Sequence, residues 1–190
     1  MKRIILLPLI SLALQTFALN AFAQPTQVDV IGLVPGVSDE AKVESLTVSA
    51  EEPFSQIPEF KFFEIGGFKI PCQVEFDSNN RKLESLICFT GEYSGIMMTE
   101  ASNAKIHRVL VKGFTKKFGK PTSITDVPVR TKNGVAYTNQ IVIWKDKKNN
   151  ELGIFRMSDT IDGGFFHIKS GSLLKRENRE EQASKSREKF

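Results

Sequence analysis

Apolar and polar side chains alternate with period two across residues 60–76 and again across 83–89, the spacing at which a β-strand sends successive residues to opposite faces. Gly66-Gly67 interrupts the first run and supplies a two-residue hairpin turn that tolerates positive φ. That turn sets Ile65 against Phe68, Phe63 against Ile70 and Lys61 against Cys72. Phe63, Ile65, Phe68, Ile70, Cys72, Val74 and Phe76 then share one face, and Lys69, Gln73, Glu75 and Asp77 the other. The next connection, Asp77-Ser78-Asn79-Asn80-Arg81-Lys82, is a cluster of turn formers. Centred on Asn80, it brings Cys72 opposite Cys88 and Val74 opposite Leu86. Directly opposed residues of a non-hydrogen-bonded pair have Cα atoms roughly 4.5 Å apart, at the short end of what a disulfide spans.

A helical period follows. Ile106, Val109, Leu110, Phe114 and Phe118 form one stripe, as in a helix laid on a sheet. Thr99 can cap it, Glu100 suits its N-terminal dipole, Lys116 and Lys117 its last turn, and Gly119 with Pro121 ends it. Before the first strands, residues 30–37 are apolar and broken by Pro35-Gly36; Ser38 then serves as N-cap of a short helix over 39–46, with Asp39 and Glu40 in its first turn. Residues 50–59, with Pro53 and Pro58, and residues 91–98 read as loops. The second half repeats the first in outline. Strands over 127–131 and 135–144 flank the hairpin signal Asn133-Gly134, 146–150 is a turn, 152–157 is a strand, and Gly163-Gly164 leads to a last strand over 165–168. Val74-Glu75-Phe76 with Leu83 compares with Val142-Ile143-Trp144 with Leu152, which raises an internal duplication. The predicted fold class is α+β: two helix-plus-antiparallel-meander halves, over 30–92 and 99–170, with the helices packed on the sheet in a single domain over 24–172. The charged tail, 173–190, reads as a frayed helix or disorder.

Composition and the N-terminus change where this domain is expected to work. Lys2 and Arg3 precede an apolar run over 4–14 and the small-x-small triplet Ala21-Phe22-Ala23, the three parts of a signal peptide cleaved after Ala23. A membrane anchor needs about 20 apolar residues, and Pro8, Gln15 and Asn20 interrupt this run. The mature chain is therefore expected in the periplasm or outside the cell, with 24–29 as a short mobile leader and no membrane span. In such an oxidising space Cys72 and Cys88, the only two cysteines, read as a disulfide bond and not as a metal pair. A hydrophobic share of 41% and 15 phenylalanines favour a packed globule over disorder. The net charge of +4 fades on inspection. Without Lys2 and Arg3, 24 basic residues face 22 acidic ones, and the tail, with six basic against four acidic, holds that remaining +2. The folded part is about neutral, so nucleic acid is not the expected partner.

No constellation of residues names a reaction. His107 lies beside the apolar stripe of the long helix and His167 between Phe166 and Ile168, each in the setting of a boundary residue. Neither belongs to a zinc-ligand spacing, and Asp159 and Asp162 beside Gly163-Gly164 read as turn residues, not as paired carboxylates. Serine-hydrolase elbows, dinucleotide fingerprints and phosphate-binding loops are missing. No catalytic residue, metal ligand or cofactor is therefore assigned, and binding of another protein is favoured over catalysis. The alternative is a small envelope hydrolase or ligand-binding protein whose site is assembled from distant residues. Tyr93, Ile96, Met97 and Met98 are the candidate partner-binding residues, because Tyr and Met are common at interfaces. Plugging the end of the core is their competing role; Phe54 and Phe62 are weaker candidates of the same kind.

Gly32-x-x-x-Gly36-x-Ser38 at the entry, a helix, a meander, a second helix ending Lys117-Phe118-Gly119-Lys120-Pro121, and a second meander with Trp144 on a strand follow in a recognisable order. This order resembles the small secreted bacterial proteins grouped with the β-lactamase-inhibitor-protein-like and BamE-like fold, over about 140 residues. Unlike BamE, the chain has no lipoprotein cysteine, and its second helix lacks a Gly-Met-Thr type of entry. The resemblance implies an α+β fold of helices on antiparallel sheet and a tendency towards protein binding.

Overall fold

A computed structural model describes residues 24–49, 60–93, 96–97, 102–130, 134, 136–156 and 163–187, with the backbone alone for 92, 93, 96 and 97. The order is α1 (Glu40–Glu44), β1 (Lys61–Ile65), β2 (Phe68–Phe76), β3 (Leu83–Phe89), β4 (Glu92–Tyr93), β5 (Ile96–Met97), α2 (Asn103–Phe118), β6 (Ser123–Arg130), β7 (Ala136–Lys145), β8 (Glu151–Phe155), β9 (Phe165–Lys169) and α3 (Gly171–Arg187). The fold is α+β, with a seven-stranded antiparallel sheet ordered β1-β2-β3-β9-β8-β7-β6 and the helices outside it. Two local meanders, β1-β2-β3 and β6-β7-β8-β9, become one sheet because β3 pairs with β9, Leu86 facing Ile168. The internal duplication raised by the sequence does not follow from this arrangement.

The first meander has the register that its alternation dictates. Gly66-Gly67 turns with φ of +63° and +78°, Ile65 faces Phe68, and Cys72 faces Cys88 in a disulfide with Cα atoms 4.0 Å apart. Between Glu75 and Phe76 a bulge shifts the pairing so that Phe76 faces Leu83. In the second meander the long hairpin is centred one residue differently from an Asn133-Gly134 two-residue turn. Arg130 faces Ala136, which leaves a five-residue connection, and β6 starts at Ser123, four residues before the expected strand.

The core lies on one face. Phe63, Ile70, Cys72, Leu86, Cys88, Phe166, Ile168, Leu152, Ile154, Val142 and Trp144 point into it, and α2 covers it with Ile106, Leu110, Phe114 and Phe118. Phe114 packs 6.2 Å from the rings of both Trp144 and Phe166, and the Trp144 Nε1–H donates to Gly119 O. Val109, expected on the buried stripe, is instead exposed at its edge; Asn103 and His107 are the buried members that the pattern lacked. The helix begins at Asn103 and carries no side-chain cap at Ser102; the expected cap Thr99 and Glu100 lie outside the described residues.

The N-terminal entry differs from the expectation of a mobile leader over 24–29. Val28, Val30 and Leu33 are fully buried in the core, and Val28 N–H donates to the buried Asp146 carboxylate. Residues 30–33 make a tight turn closed by a Val30–Leu33 bridge. Asp39, not Ser38, caps α1, accepting from Lys42 N–H; Ser38 Oγ accepts instead from Val34 N–H. Residues 91–98, expected as loop, include a short β4–β5 hairpin in which Tyr93 faces Ile96. Residues 1–23, expected as a signal peptide, residues 50–59 and Asp159 and Asp162 fall outside the described residues.

The charged tail is a helix with a docked start. Ser170 Oγ accepts from Leu173 N–H, Asn150 Oδ1 from Gly171 N–H, and Leu173 is buried. Arg176 forks across both oxygens of the buried Glu84, at 3.0 and 2.8 Å, and Lys169 reaches Glu177 at 2.7 Å. The alternative of disorder does not hold for residues up to Arg187.

Candidate functional site

Alternation that fills the core face must also build a second face, and here it is not polar. The register aligns Phe62, Pro71, Phe89, Phe165, Phe155 and Ile141 in one row across six adjacent strands, with Thr125 of the edge strand at its end. Phe155 and Phe165 stack with centroids 4.4 Å apart, and Phe60 meets Phe89 edge-on at 5.5 Å. Burial falls along the row: Phe62 and Pro71 are buried, Phe89, Phe165, Phe155 and Ile141 half-buried, and Thr125 exposed. A second row, Ile87, His167, Gly153 and Ile143, runs beside it. The expectation of a polar second face thus fits β2, with Lys69, Gln73 and Glu75, but not the centre of the sheet.

His167 sits in this face with its Nε2 3.0 Å from Glu151 Oε1, while Lys145 Nζ lies 3.1 Å from the other carboxylate oxygen. Gly153 makes room for the ring, since a Cβ there would come within 2.8 Å of His167 Nε2. Burial by itself raises the Glu151 carboxyl, but hydrogen bonds and charge from His167 and Lys145 outweigh it and hold the group below its ordinary value. The pairing of Glu151 with both His167 and Lys145 satisfies polar groups that this face largely buries. Ser85 Oγ, on the same face, is buried without a protein partner among the described residues.

A cavity exists elsewhere. At the N-terminal end of α2, Ala104, His107 and Arg108 face Gln140 of β7 and Arg156 just past β8 across a cleft of about 160 Å³. Arg156 N–H donates to Gln140 O, which carries β8's pairing one step beyond the strand. Asn103 pins the helix start there: its Oδ1 accepts from Thr90 Oγ1 at 2.9 Å, its Nδ2 donates to Arg156 O, and Gly164 approaches so closely that a Cβ would collide with it. His107 is only 6% exposed, and its Nε2 has no protein partner among the described residues. Leaving such an atom buried and unpaired costs about 1–3 kcal/mol. Burial, and then the charge of Arg156, hold the ring below the ordinary histidine value, so it is neutral near pH 7.

The sequence candidates are therefore dispersed. His107 and His167 lie on opposite faces of the sheet and share no site. Cys72 and Cys88 are a buried staple. Tyr93, Ile96 and Met97 belong to the β4–β5 hairpin, and Met98 and Phe54 fall outside the described residues. Arg108, Gln140 and Arg156 carry no local signal, since only the fold brings 104–108, 140 and 156 together. Among the described residues no group of histidine, cysteine and carboxylate side chains could hold a metal, and no helix is long and apolar enough to cross a membrane. No family model, curated protein or solved structure matches the chain.

Proposed function

We propose that the chain is a protein-binding module of an oxidising, extracytoplasmic compartment, in the role of an inhibitor, immunity or envelope accessory protein, and that it meets its partner with the second face of the sheet. The half-exposed aromatic row of Phe89, Phe165, Phe155 and Ile141 carries this reading. Aromatic side chains at an interface supply large contact area at low entropic cost, and a face that shades from buried at β1 to exposed at β6 presents them on a rigid support. The disulfide and the signal-like N-terminus support the compartment, and the fold-level likeness to the inhibitor-protein-like and BamE-like group belongs to the same proposal. The β4–β5 hairpin follows Phe89 closely in the chain, and Tyr93, Ile96 and Met97 belong to the same proposal.

Affinity capture of partners by the mature protein from envelope extract, read by mass spectrometry, tests it. Ile141→Asp and Tyr93→Glu should lose the specifically captured partner, whereas Val109→Asp, on the exposed edge of α2, should keep it. Capture that survives both changes in proteins of unaltered circular dichroism would sink the assignment of this face.

A further inference from the structure

The cleft at the start of α2 has a chemistry that the binding face does not use. Its lining brings two guanidiniums, Arg108 and Arg156, to a buried imidazole and the Gln140 side chain. Neither arginine is paired with a carboxylate among the described residues; Gln140 Nε2 lies 3.4 Å from Asp126 Oδ1. Surface arginines ordinarily find solvent or a loose ion pair, and two lining one concavity beside a buried histidine make a different case. Every donor in such a cleft waits for the same thing: a compact group with negative oxygens. The α2 N-terminus adds peptide N–H groups and the positive end of its dipole on the same side.

We propose that this cleft is a binding site for a small oxyanion, a carboxylate or phosphate, held by Arg108 and Arg156 beside the His107 ring. The cleft, about 160 Å³, has room for an anion of acetate or phosphate size. An anion seated between the His107 ring and Arg156 offsets the repulsion that now disfavours the imidazolium, so occupancy should raise the ring's affinity for a proton. The charged groups that bear on the ring are Arg156 across the cleft and Arg108 beside it on α2, with Asp126 behind Gln140. This inference rests on the cleft alone and not on the protein-binding reading.

Imidazole resonances followed by NMR at pH 7 and constant ionic strength test it, with acetate, phosphate and chloride titrated separately into the full protein. His107 signals should move saturably with acetate or phosphate and not with chloride, while those of His167, paired with Glu151 on the other face, stay put. Comparison of the two titrations says whether carboxylate or phosphate is preferred. Arg156→Gln and Arg108→Gln, both at exposed positions, should each weaken binding about tenfold, the loss of one charge-assisted hydrogen bond. Arg156→Lys should restore part of it. Linear shifts with every salt, equal movement of both histidines, or binding unchanged in both glutamine variants would overturn the proposal.

Discussion

His107 is buried and Glu151 half-buried, and the fold treats the two titratable groups differently. His107 is stripped of water and placed near Arg156, so its neutral form is favoured; Glu151 is given a histidine and a lysine, so its charged form is favoured despite burial. Both depress the folded-state pKa, and both therefore make stability rise with pH. For His107 the unfolded ring binds a proton near pH 6.5 while the folded ring resists it. Its contribution is complete above about pH 6.5 and is lost as pH falls below. Glu151 contributes fully above its ordinary value of 4.5 and loses that contribution as pH drops through its lower folded value. The melting temperature should accordingly start to fall below about pH 6.5 and fall further below about pH 4.5. His107→Gln should flatten the first decline and spare the second; thermal melts of the two proteins across that range check it. Cys72 and Cys88 act at the same scale by restraining the unfolded chain. Their 16-residue separation makes the bond worth about 3 kcal/mol by chain entropy. Mass measurement without reductant should find no free thiol, and the double alanine variant should lose about that much in denaturant unfolding.

At the scale of elements, α3 is the one whose attachment can be counted on a few side chains. Leu173 is buried, Ser170 and Asn150 hold the first turn, and Arg176 forks onto Glu84 in the bulged start of β3. Beyond Glu177 the helix is exposed on all sides. Glu84 is nearly buried, so removing Arg176 leaves a carboxylate without its cation, a loss larger than that of a free surface pair. Leu173→Ala and Arg176→Ala should each speed hydrogen exchange throughout α3 while β3 and β9 stay protected. Exchange in α3 indistinguishable from wild type would mean that other contacts hold it. The sequence shows why this helix was unreadable as an ordered element: its composition is charged throughout, and its anchors, Leu173 and Arg176, bind residues far away in the chain.

For the whole molecule, legibility followed contact distance. The Gly66-Gly67 turn and the alternation around it dictate the register of β1 and β2 and the opposition of the cysteines, because each depends on neighbours within a few residues. The bulge at Glu75, the five-residue tip of the β6–β7 hairpin and the Asp39 cap are local too, but several turn geometries fit the same residues there. Trp144, Val28 and the arginines of the cleft were out of reach, since their partners lie tens of residues away. The aromatic row is an intermediate case. Each of its members shows as an apolar residue out of phase with the core stripe, and only the order of strands turns them into a line.

That order also constrains how the chain acquires its shape. The central seam, β3 against β9, joins residues about 80 positions apart, and within the sheet of the described residues it alone links the two meanders. A chain delivered gradually from its N-terminus, by synthesis or by threading through a pore, holds β3 with one unsatisfied edge until residue 169 has emerged. The disulfide can close long before that, since both cysteines sit in the first meander, on β2 and β3. The protein thus has a covalently fixed half that must wait, with an open edge, for its last strand, and that interval is where aggregation or a chaperone would compete with folding.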